Sequence, residues 1–459
     1  MTQQTLAPDP EAPDHEAADR MIRELERKSE QNLWACYQCG RCTADCPFSL
    51  TPSLAVRLLQ LGQLEAARSL ATTWDCASCY SCQTGCPKGV SPARVMKALR
   101  ALDGGQAPAV FTRPADLLGR NGDPLPLPSS TRPRWAPRAR LAAWTRRMRA
   151  HALASMPRAF PLMSAIAPLS NRMMRLPGAR QLAHLVLGVH RDRQLPRFAA
   201  QSFPAWFARH QPLGDGQRGA VVLFHDEFMD FNYPQTGIAV TEILERAGFR
   251  VELFRGVCCG RPMISKGFED GASVCAVKNV PILHEAASRG VYIVGCEPSC
   301  LLTLRDEYLH LVPKGLEAQA RVVARQALLI DEFLVMLHAK GELELTFRPP
   351  DTLRPVLFHG HCHQKAFADA SKSVELLGIA GYDVEFINAA CCGMAGLHGF
   401  EKRHFEASRA ACERSVLPAV RSRPDADLVI MGVSCRQQIE QFSDRPVRHL
   451  VEAVRNAIA

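Results

Sequence analysis

Two cysteine runs dominate the sequence: CYQCGRCTADCP at residues 36–47 and CASCYSCQTGCP at residues 76–87. Both have the spacing C-x2-C-x2-C-x3-C and end in proline. In such runs three closely spaced thiolates wrap around one cubane iron–sulfur cluster, and the fourth cysteine reaches a second cluster. Together the runs predict an α-helical dicluster ferredoxin module, over residues 30–105, that holds two [4Fe–4S] clusters.

This crossed pattern gives each predicted cluster three ligands from one run and one from the other. The first predicted set is Cys36, Cys39, Cys42 and Cys86, and the second is Cys76, Cys79, Cys82 and Cys46. Two structural zinc sites are the alternative, but zinc ribbons use C-x2-C pairs rather than two such runs. The segment TPSLAVRLLQLGQLEAA between the runs and VMKALRAL after them are predicted helices.

Composition favours an intracellular redox or metal protein. The chain has 459 residues, of which 47% are hydrophobic and 18 are cysteine, and it contains no apolar run long enough for a membrane-spanning helix. Its acidic, proline-bearing start lacks the features of a secretory signal, so we expect a cytoplasmic location. We expect a disordered tail over 1–29 that merges into a charged helix at MIRELERKSEQ. Without a signal, the cysteines indicate metal or redox use rather than disulfides.

Residues 106–217 form a basic, Pro- and Arg-rich segment that we expect to be a linker with some helices. Between Gln106 and Gln217 there are 17 Arg, no Lys and 4 Asp, a net charge of 17 − 4 = +13. Three interpretations stay open. The segment is a membrane-surface anchor that meets quinone and holds the protein peripherally on the inner face of the cell membrane, or a docking surface for an acidic partner subunit, or a linker packed on its own domains. We expect no nucleic-acid binding, because no recognition motif accompanies the charge.

Beyond Gly219 the pattern changes to alternating strands and helices. Such alternation predicts an α/β fold with a mainly parallel sheet. The predicted strands are 220–225, 250–254 and 291–295, and the predicted helices are 236–249 and 271–288.

The pattern then repeats. The triplet 223–225 is matched by 357–359, and Cys258-Cys259-Gly260 is matched by Cys391-Cys392-Gly393. Two related α/β half-domains follow, at 218–345 and 350–459, with their motifs at the carboxyl ends of strands. This repeat alignment places Phe228 opposite Cys362.

The second half-domain offers four thiolates from three loops, enough for a third iron–sulfur cluster; a zinc site or a redox-active dithiol is the alternative. They belong to Cys362, Cys391, Cys392 and Cys435. The first half-domain offers Cys258, Cys259 and Cys300, with Asp226, Glu227 or Cys296 as candidates for a fourth ligand. If it binds no cluster, the first half-domain is either a degenerate half kept for packing or a surface for a partner or substrate.

Several neighbouring residues have two interpretations. His361, His363 and Gln364 either tune a cluster by hydrogen bonds or proton delivery, or serve as structural turn residues. Cys275 and Cys412 are expected to be buried in helices as small hydrophobic residues. The pair Asp306-Glu307 is expected to cap or solvate a helix.

These motifs resemble known families. The module that runs from CYQCGRCTADCPFS to WDCASCYSCQTGCPKGV resembles the dicluster subunit of heterodisulfide reductase. The CCG half-domains resemble the cysteine-rich subunit of that enzyme and the iron–sulfur subunits of glycolate oxidase and anaerobic glycerol-3-phosphate dehydrogenase. LFHDEF, CCGRP, CEPSC, HCHQK, CCGMAG and SCRQQ are similar to the iron–sulfur region of FAD-linked D-lactate-type dehydrogenases. The resemblance covers almost all of 30–105 and 218–459.

The resemblance implies an electron-transfer subunit that passes electrons from a flavoprotein dehydrogenase to quinone or another carrier. The donor of that flavoprotein would be a small organic molecule such as a 2-hydroxy acid. The chain itself has no Gly-rich phosphate loop, so we expect no flavin or NAD site in it.

A disulfide or persulfide reductase acting at the CCG site is the alternative, and a zinc-bound scaffold is a third interpretation. In the cysteine-rich subunit of heterodisulfide reductase the full motifs carry C-x-x-C after the CCG, which implies a noncubane double cluster that reduces a disulfide. Here Glu297 and Gly432 stand where the first cysteine of that pair would be.

Overall fold

The computed structural model describes residues 15–103 and 137–459, and the chain divides into two compact units, Met1–Met148 and Arg149–Ala459. We describe each unit by itself. Residues 1–14 and 104–136 lie outside the described residues, as do the expectations for the start of the tail and for the Pro-rich opening of the linker.

The first unit is helical around the cysteine runs, as predicted. Pro52 and Pro92 stand at the first position of their helices, where the missing N–H costs nothing. Its elements are α1 (His15–Ser29), a 3-10 turn (Leu33–Ala35), α2 (Arg41–Ala44), α3 (Pro52–Gln60), α4 (Leu64–Ser69), α5 (Ala71–Asp75), α6 (Ser81–Thr84) and α7 (Pro92–Leu102).

The expected disordered tail differs from the structure over residues 15–29, all of which form α1. Ile22 and Leu25 are buried, and α1 packs against α7. Their spacing of three residues puts both on one helix face, and burying that face in the core of the unit stabilises the helix. The charged helix expected from Met21 onward is the C-terminal part of α1.

From residue 149 the expected linker belongs to the second unit. Leu153, Phe160 and Phe198 are buried there, so this part of the chain is packed rather than free. The helices of residues 137–217 are α8 (Pro137–Ser155), α9 (Phe160–Ala165), α10 (Ala167–Arg175), α11 (Pro177–Val186) and α12 (Phe203–Phe207), with a 3-10 turn at Met156–Ala159.

The two half-domains each contain a four-stranded parallel sheet. The strand order is β2-β1-β3-β4 in the first and β6-β5-β7-β8 in the second. The strands are β1 (Ala220–Phe224), β2 (Arg250–Leu253), β3 (Tyr292–Gly295), β4 (Ala327–Leu329), β5 (Val356–His359), β6 (Val384–Phe386), β7 (Asp427–Ile430) and β8 (Val447–His449). The predicted α/β repeat with parallel sheets is confirmed.

Helices cover both sheets. In the first half-domain they are α13 (Glu227–Phe231), α14 (Pro234–Arg246), α15 (Arg261–Ser265), α16 (Glu269–Ala287), α17 (Pro298–Arg305), α18 (Tyr308–Leu311), α19 (Glu317–Gln326) and α20 (Ile330–Ala339). In the second they are α21 (Cys362–Phe367), α22 (Ser371–Ile379), α23 (Phe405–Ser415), α24 (Leu417–Ser422), α25 (Val433–Ser443) and α26 (Leu450–Ala457). Three 3-10 turns lie at Lys314–Leu316, Pro350–Thr352 and Gly396–Phe400.

The half-domains pack on each other reciprocally. Helix α14 of the first contacts α26, the last helix of the second, and α22 of the second contacts α20, the last helix of the first. One hydrophobic core runs through both contacts and includes Phe203, Phe333 and Val454. The interface fixes the ends of the two sheets relative to each other.

Within residues 15–103 and 137–459, no helix combines the length and apolar character that crossing a membrane requires.

Candidate cluster-binding sites

The structure brings the ferredoxin cysteines together in the crossed arrangement. Burial raises the pKa of Cys42 to about 11, and the sulfurs of Cys36, Cys39 and Cys86 contribute to this rise. Burial likewise raises the pKa of Cys46, with smaller contributions from the sulfurs of Cys79 and Cys76. Each last cysteine therefore lies close to the other run, as a dicluster site requires.

The backbone of the two runs is matched. Gln38 and Ser78, which precede the second cysteine of each run, have φ of 63° and 51°. Gly40 and Tyr80, which follow it, have φ of 77° and 58°. Left-handed residues at such positions turn successive N–H groups toward one point, which favours an anionic group. This geometry suits a negatively charged thiolate cluster.

A cavity lies among the second set of thiols. Its lining contains Cys46, Cys76, Cys79 and Cys82 together with apolar side chains such as Met96. The position of this opening among four sulfurs fits a cubane cluster. A bound cluster would supply an electron carrier here.

Arg100 is a buried cation beside this site that the sequence did not reveal. One guanidinium nitrogen donates to the carbonyl of Cys76 and another to Oγ of Ser78, both at 2.7 Å. Burial raises the pKa of the Cys76 thiol, and the charge of Arg100 opposes this rise. In the sequence Arg100 is only part of a helix pattern, and nothing local marks it as a neighbour of Cys76.

The four thiols predicted in the second half-domain are all buried. Cys362 is the first residue of α21, Cys391 and Cys392 follow β6, and Cys435 lies in the first turn of α25. Cys392 accepts hydrogen bonds from Cys391 and Cys435, which holds its pKa well below the usual range. Burial lowers the pKa of Lys365, and the charge of all four sulfurs opposes that shift. The structure brings this predicted set together, and its donors fit an iron–sulfur cluster.

His359 adds a fifth donor, which in the sequence serves only as a marker of the repeat. One nitrogen of its ring lies within 4.8 Å of the sulfurs of Cys392 and Cys435. Burial lowers the pKa of His359 to about 4, so its ring is neutral, and one ring nitrogen is able to accept a hydrogen bond or to bind a metal ion. The signal was its place at the end of a buried strand, where sites of α/β sheets lie.

The residues around Cys362 mainly build the turn. His361 caps α21, with its Nδ1 accepting from the N–H of His363 at 3.2 Å. Gln364 donates to Asp331 at 2.6 Å and to Ser373 at 2.8 Å. The structural interpretation holds for these contacts, while cluster tuning by His361 and His363 stays a prediction.

Glycine after each cysteine pair has a steric reason. Gly260 and Gly393 have φ of 84° and 91°, in the left-handed region. A Cβ at Gly393 would stand 2.3 Å from the carbonyl oxygen of Ser408. The CCG pattern therefore encodes a tight turn under the thiols.

In the first half-domain the structure revises the repeat alignment by one residue. Val221 pairs with Tyr292 and Val356 with Asp427, so Phe224, not His225, is the counterpart of His359. The residue opposite Cys362 is therefore Glu227 rather than Phe228. The matching triplets 223–225 and 357–359 are therefore not structurally equivalent: the strands that contain them align with an offset of one residue.

The thiols of the first half-domain also converge. Cys258 hydrogen-bonds Cys259, and Cys259 hydrogen-bonds Cys300. The Cys259 bond lowers the pKa of Cys300, but burial and nearby carboxylates raise it to about 12. Cys296 is buried as well, and burial raises its pKa well above the usual range.

Glu297 and Gly432 are not interchangeable with cysteine here. Glu297 caps α17, and its other oxygen accepts from the N–H of Val433 in the second half-domain at 2.8 Å. A Cβ at Gly432 would lie 2.7 Å from Cδ2 of His361 and 3.3 Å from the Glu297 carboxylate. The C-x-x-C pair of a noncubane site has no room at Gly432, which weighs against the disulfide-reductase alternative.

Three further expectations concern residues outside the thiol sets. Cys275 and Cys412 are buried in α16 and α23, as predicted. Asp306 is the C-cap residue of α17 and Glu307 the N-cap residue of α18, so the pair stands at helix ends as expected. The Glu307 carboxylate is not solvated, because it forms a salt bridge with Arg261 of α15 at 2.5 Å.

Arg193 is a second buried cation that the sequence did not single out. It donates to Gln438, Ser408 and the carbonyl of Gly399 at 2.9–3.1 Å, all of them neutral acceptors. Burial lowers its pKa to about 10, while the sulfur of Cys392 raises it. In the sequence it counts only as one of the arginines of the basic segment.

Family models match the parts of the chain that carry these sites. The 4Fe-4S dicluster domain matches residues 35–91, and the cysteine-rich domain matches residues 222–305 and 356–440. The chain thus matches the dicluster model once and the cysteine-rich model twice. The family resemblance read from the motifs is confirmed.

Curated proteins with similar sequences include dehydrogenases and a lactate utilization protein. One subunit of the anaerobic glycerol-3-phosphate dehydrogenase of Escherichia coli K12 is 28% identical over 302 residues, which cover 64% of this chain and 73% of that protein. D-2-hydroxyglutarate dehydrogenase of Pseudomonas putida is 30% identical over 237 residues, 51% of this chain but 22% of that enzyme. Lactate utilization protein A 2 of Bacillus cereus AH820 is 25% identical over 183 residues, 38% of this chain and 72% of that protein.

Proposed function

We propose that this protein is the iron–sulfur electron-transfer subunit of an oxidoreductase complex. A partner flavoprotein would oxidise a small hydroxylated donor, such as a 2-hydroxy acid, and pass its electrons to the dicluster module. A third cluster on the second half-domain would extend the relay toward quinone or another carrier. The observation that carries the proposal is the convergence of Cys362, Cys391, Cys392 and Cys435 in one buried site.

The names of the similar proteins support the type of partner. Two are dehydrogenases of hydroxylated donors, and one of these is named as a single subunit of its enzyme. The residues assigned to the relay bind and orient clusters, while hydride or proton chemistry on the donor would belong to the flavoprotein.

The third cluster is tested by iron and acid-labile sulfide analysis of full-length protein purified without oxygen. Cys435→Ser should remove about four irons per chain, because each [4Fe–4S] cluster holds four. Cys275→Ala is the control, since this thiol lies in α16, in a helix body. Equal iron content in both variants would place no cluster at the second half-domain.

The partner is tested by anaerobic purification from native extract. We expect a flavin-containing protein to co-purify, and its hydroxylated donor to bleach the cluster absorption of the complex. A purified protein without any flavoprotein, whose clusters stay oxidised with every hydroxy acid tried, would contradict the relay.

We further propose that α9–α11 contact a membrane surface, where a quinone acceptor resides. The residues from 137 to 190 include no Asp or Glu but several Arg, a combination that attracts anionic lipid. Large apolar side chains of these helices are exposed: Leu162, Ile166, Leu169, Met173, Leu176, Leu182, Leu185 and Val186. Exposed apolar groups beside arginines are typical of helices that lie in the membrane interface.

Vesicle flotation tests this contact. The protein should float with vesicles that contain phosphatidylglycerol and much less with phosphatidylcholine alone. Leu169→Glu with Leu182→Glu should abolish flotation, because both side chains are more than 60% exposed and would carry charge into the lipid. If the double variant floats as well as the wild type, the proposed contact of these helices with lipid is wrong.

A further inference from the structure

The first half-domain has a carboxylate at the position where the second has a cysteine ligand. Asp226 caps α13 and His361 caps α21, so Glu227 and Cys362 are each the first residue of the equivalent helix. The strand register gives the same correspondence independently. The remaining positions are also matched, because Cys300 and Cys435 are both the third residue of their helices, α17 and α25.

The Glu227 side chain turns toward the thiols of its own half-domain. It hydrogen-bonds Cys258. The hydrogen bond to Cys259 and burial raise the pKa of Cys258, and the charge of Glu227 adds to this rise. Hydrogen bonds continue from Cys258 to Cys259 and from there to Cys300, so four donors from three loops form one connected group. In the described part of the chain Glu227 forms no salt bridge, which leaves its carboxylate available to a metal.

We propose that Glu227 is the fourth ligand of a cluster in the first half-domain, a [4Fe–4S] unit held by Cys258, Cys259, Cys300 and one carboxylate. This inference rests on the cluster-bearing function proposed above. A carboxylate is a harder ligand than a thiolate and holds iron of a sulfide cluster less strongly. The iron at Glu227 is therefore the one that leaves first.

Oxidation with ferricyanide reveals such an iron. The [4Fe–4S]2+ cluster gives [3Fe–4S]+, one Fe2+ and one electron, which ferricyanide takes up as it becomes ferrocyanide. The Glu227 carboxylate is then left without metal, while the three thiolates keep the remaining irons.

The experiment uses full-length protein purified without oxygen, as wild type, Glu227→Cys, Glu227→Gln and the control Glu242→Gln. Glu242 is a carboxylate of α14 that is paired with Arg455, away from the thiols. After brief ferricyanide treatment, the paramagnetic [3Fe–4S]+ signal per chain and the released Fe2+ are measured. Far-UV circular dichroism checks the fold of each variant.

We expect the wild type and Glu242→Gln to give the same signal and Glu227→Cys about tenfold less, because a fourth thiolate retains the iron. Glu227→Gln, which keeps the size of the side chain but not its charge, should hold about one iron fewer per chain, because the three thiolates still bind a three-iron unit. Equal signals in wild type and Glu227→Cys, with unchanged iron in Glu227→Gln, would overturn the proposal. Stoichiometric zinc that disappears in Glu227→Gln would overturn it as well.

Comparison with Cys435→Ser separates the two claims. If Cys435→Ser loses about four irons while the Glu227 variants behave like wild type, the relay stands and the carboxylate ligand does not. If Cys435→Ser keeps all its iron, it is the relay through the second half-domain that fails, whatever the Glu227 variants show.

Discussion

Single residues decide which metal chemistry each half-domain supports. Gly432 lies under the ring of His361 and beside the Glu297 carboxylate, so even one added methyl group displaces them. We expect Gly432→Ala to destabilise the second unit by about 1–3 kcal/mol, the usual cost of overpacking a buried site. Thermal unfolding measures it, with Gly315→Ala as the control because a Cβ there meets open space. Equal midpoints for the two variants would contradict the steric account.

Arg100 is expected to set the reduction potential of the cluster next to it. Its removal in Arg100→Gln takes a buried positive charge away from Cys76, so the potential of the cluster on Cys76, Cys79, Cys82 and Cys46 should fall. Arg100→Lys should restore part of the shift. Redox titration measures both, and the cluster on the first run serves as an internal reference. A shift of equal size in both clusters would indicate a general change in the fold.

The candidate ligand residues can be predicted from the sequence, whereas the buried charged residues beside them cannot. Cysteine spacing predicts the ferredoxin thiols, because three of the four ligands of each cluster lie within a few residues of each other and the fourth belongs to a run of identical spacing. Arg100 and Arg193 reach their sites from 22 or more residues away, through burial that no local pattern encodes. Glu227 was one of three candidates, and the strand register together with the matching helix starts distinguished it.

Secondary structure elements followed their patterns well where the chain alternates strands and helices. The predicted strand over 250–254 is β2, and the predicted helix over 271–288 is α16, with bounds that differ by one or two residues. Parallel strands buried on both faces give continuous apolar runs, which are easy to recognise. The first turns of α1 were assigned to the tail because their apolar positions are few and the partner helix, α7, lies some 70 residues later in the chain.

Helix α1 is expected to stabilise the first unit through one side chain. Leu25 is fully buried, so Leu25→Ala should cost about 2–5 kcal/mol by leaving a cavity. Met21→Ala is the matched control on the same helix, since Met21 is 37% exposed. Urea unfolding followed by cluster absorption reports on this unit. If the unfolding midpoints of Leu25→Ala and Met21→Ala were equal, α1 would not stabilise the first unit through Leu25.

At the scale of the whole molecule, the two units should respond differently to removal of their clusters. The first unit is built of short helices around thiols, and sites of this kind form part of the folding energy. Anaerobic treatment with a chelator and ferricyanide should make residues 30–103 sensitive to protease. The second unit keeps two sheets and a continuous hydrophobic core without metal, so it should stay resistant. Mass spectrometry of the fragments measures this, and early cleavage within 220–340 would contradict it.

The contacts of α14 with α26 and of α22 with α20 are reciprocal, as in a twofold symmetric dimer, but here both halves belong to one chain. Such a pattern is what gene duplication and fusion of a self-associating ancestor would leave behind. Two copies in one chain can differ at a matched position, as Cys362 and Glu227 do. Such a difference between the two thiol sites is open to a fused chain and closed to a homodimer, whose identical subunits cannot differ at one position.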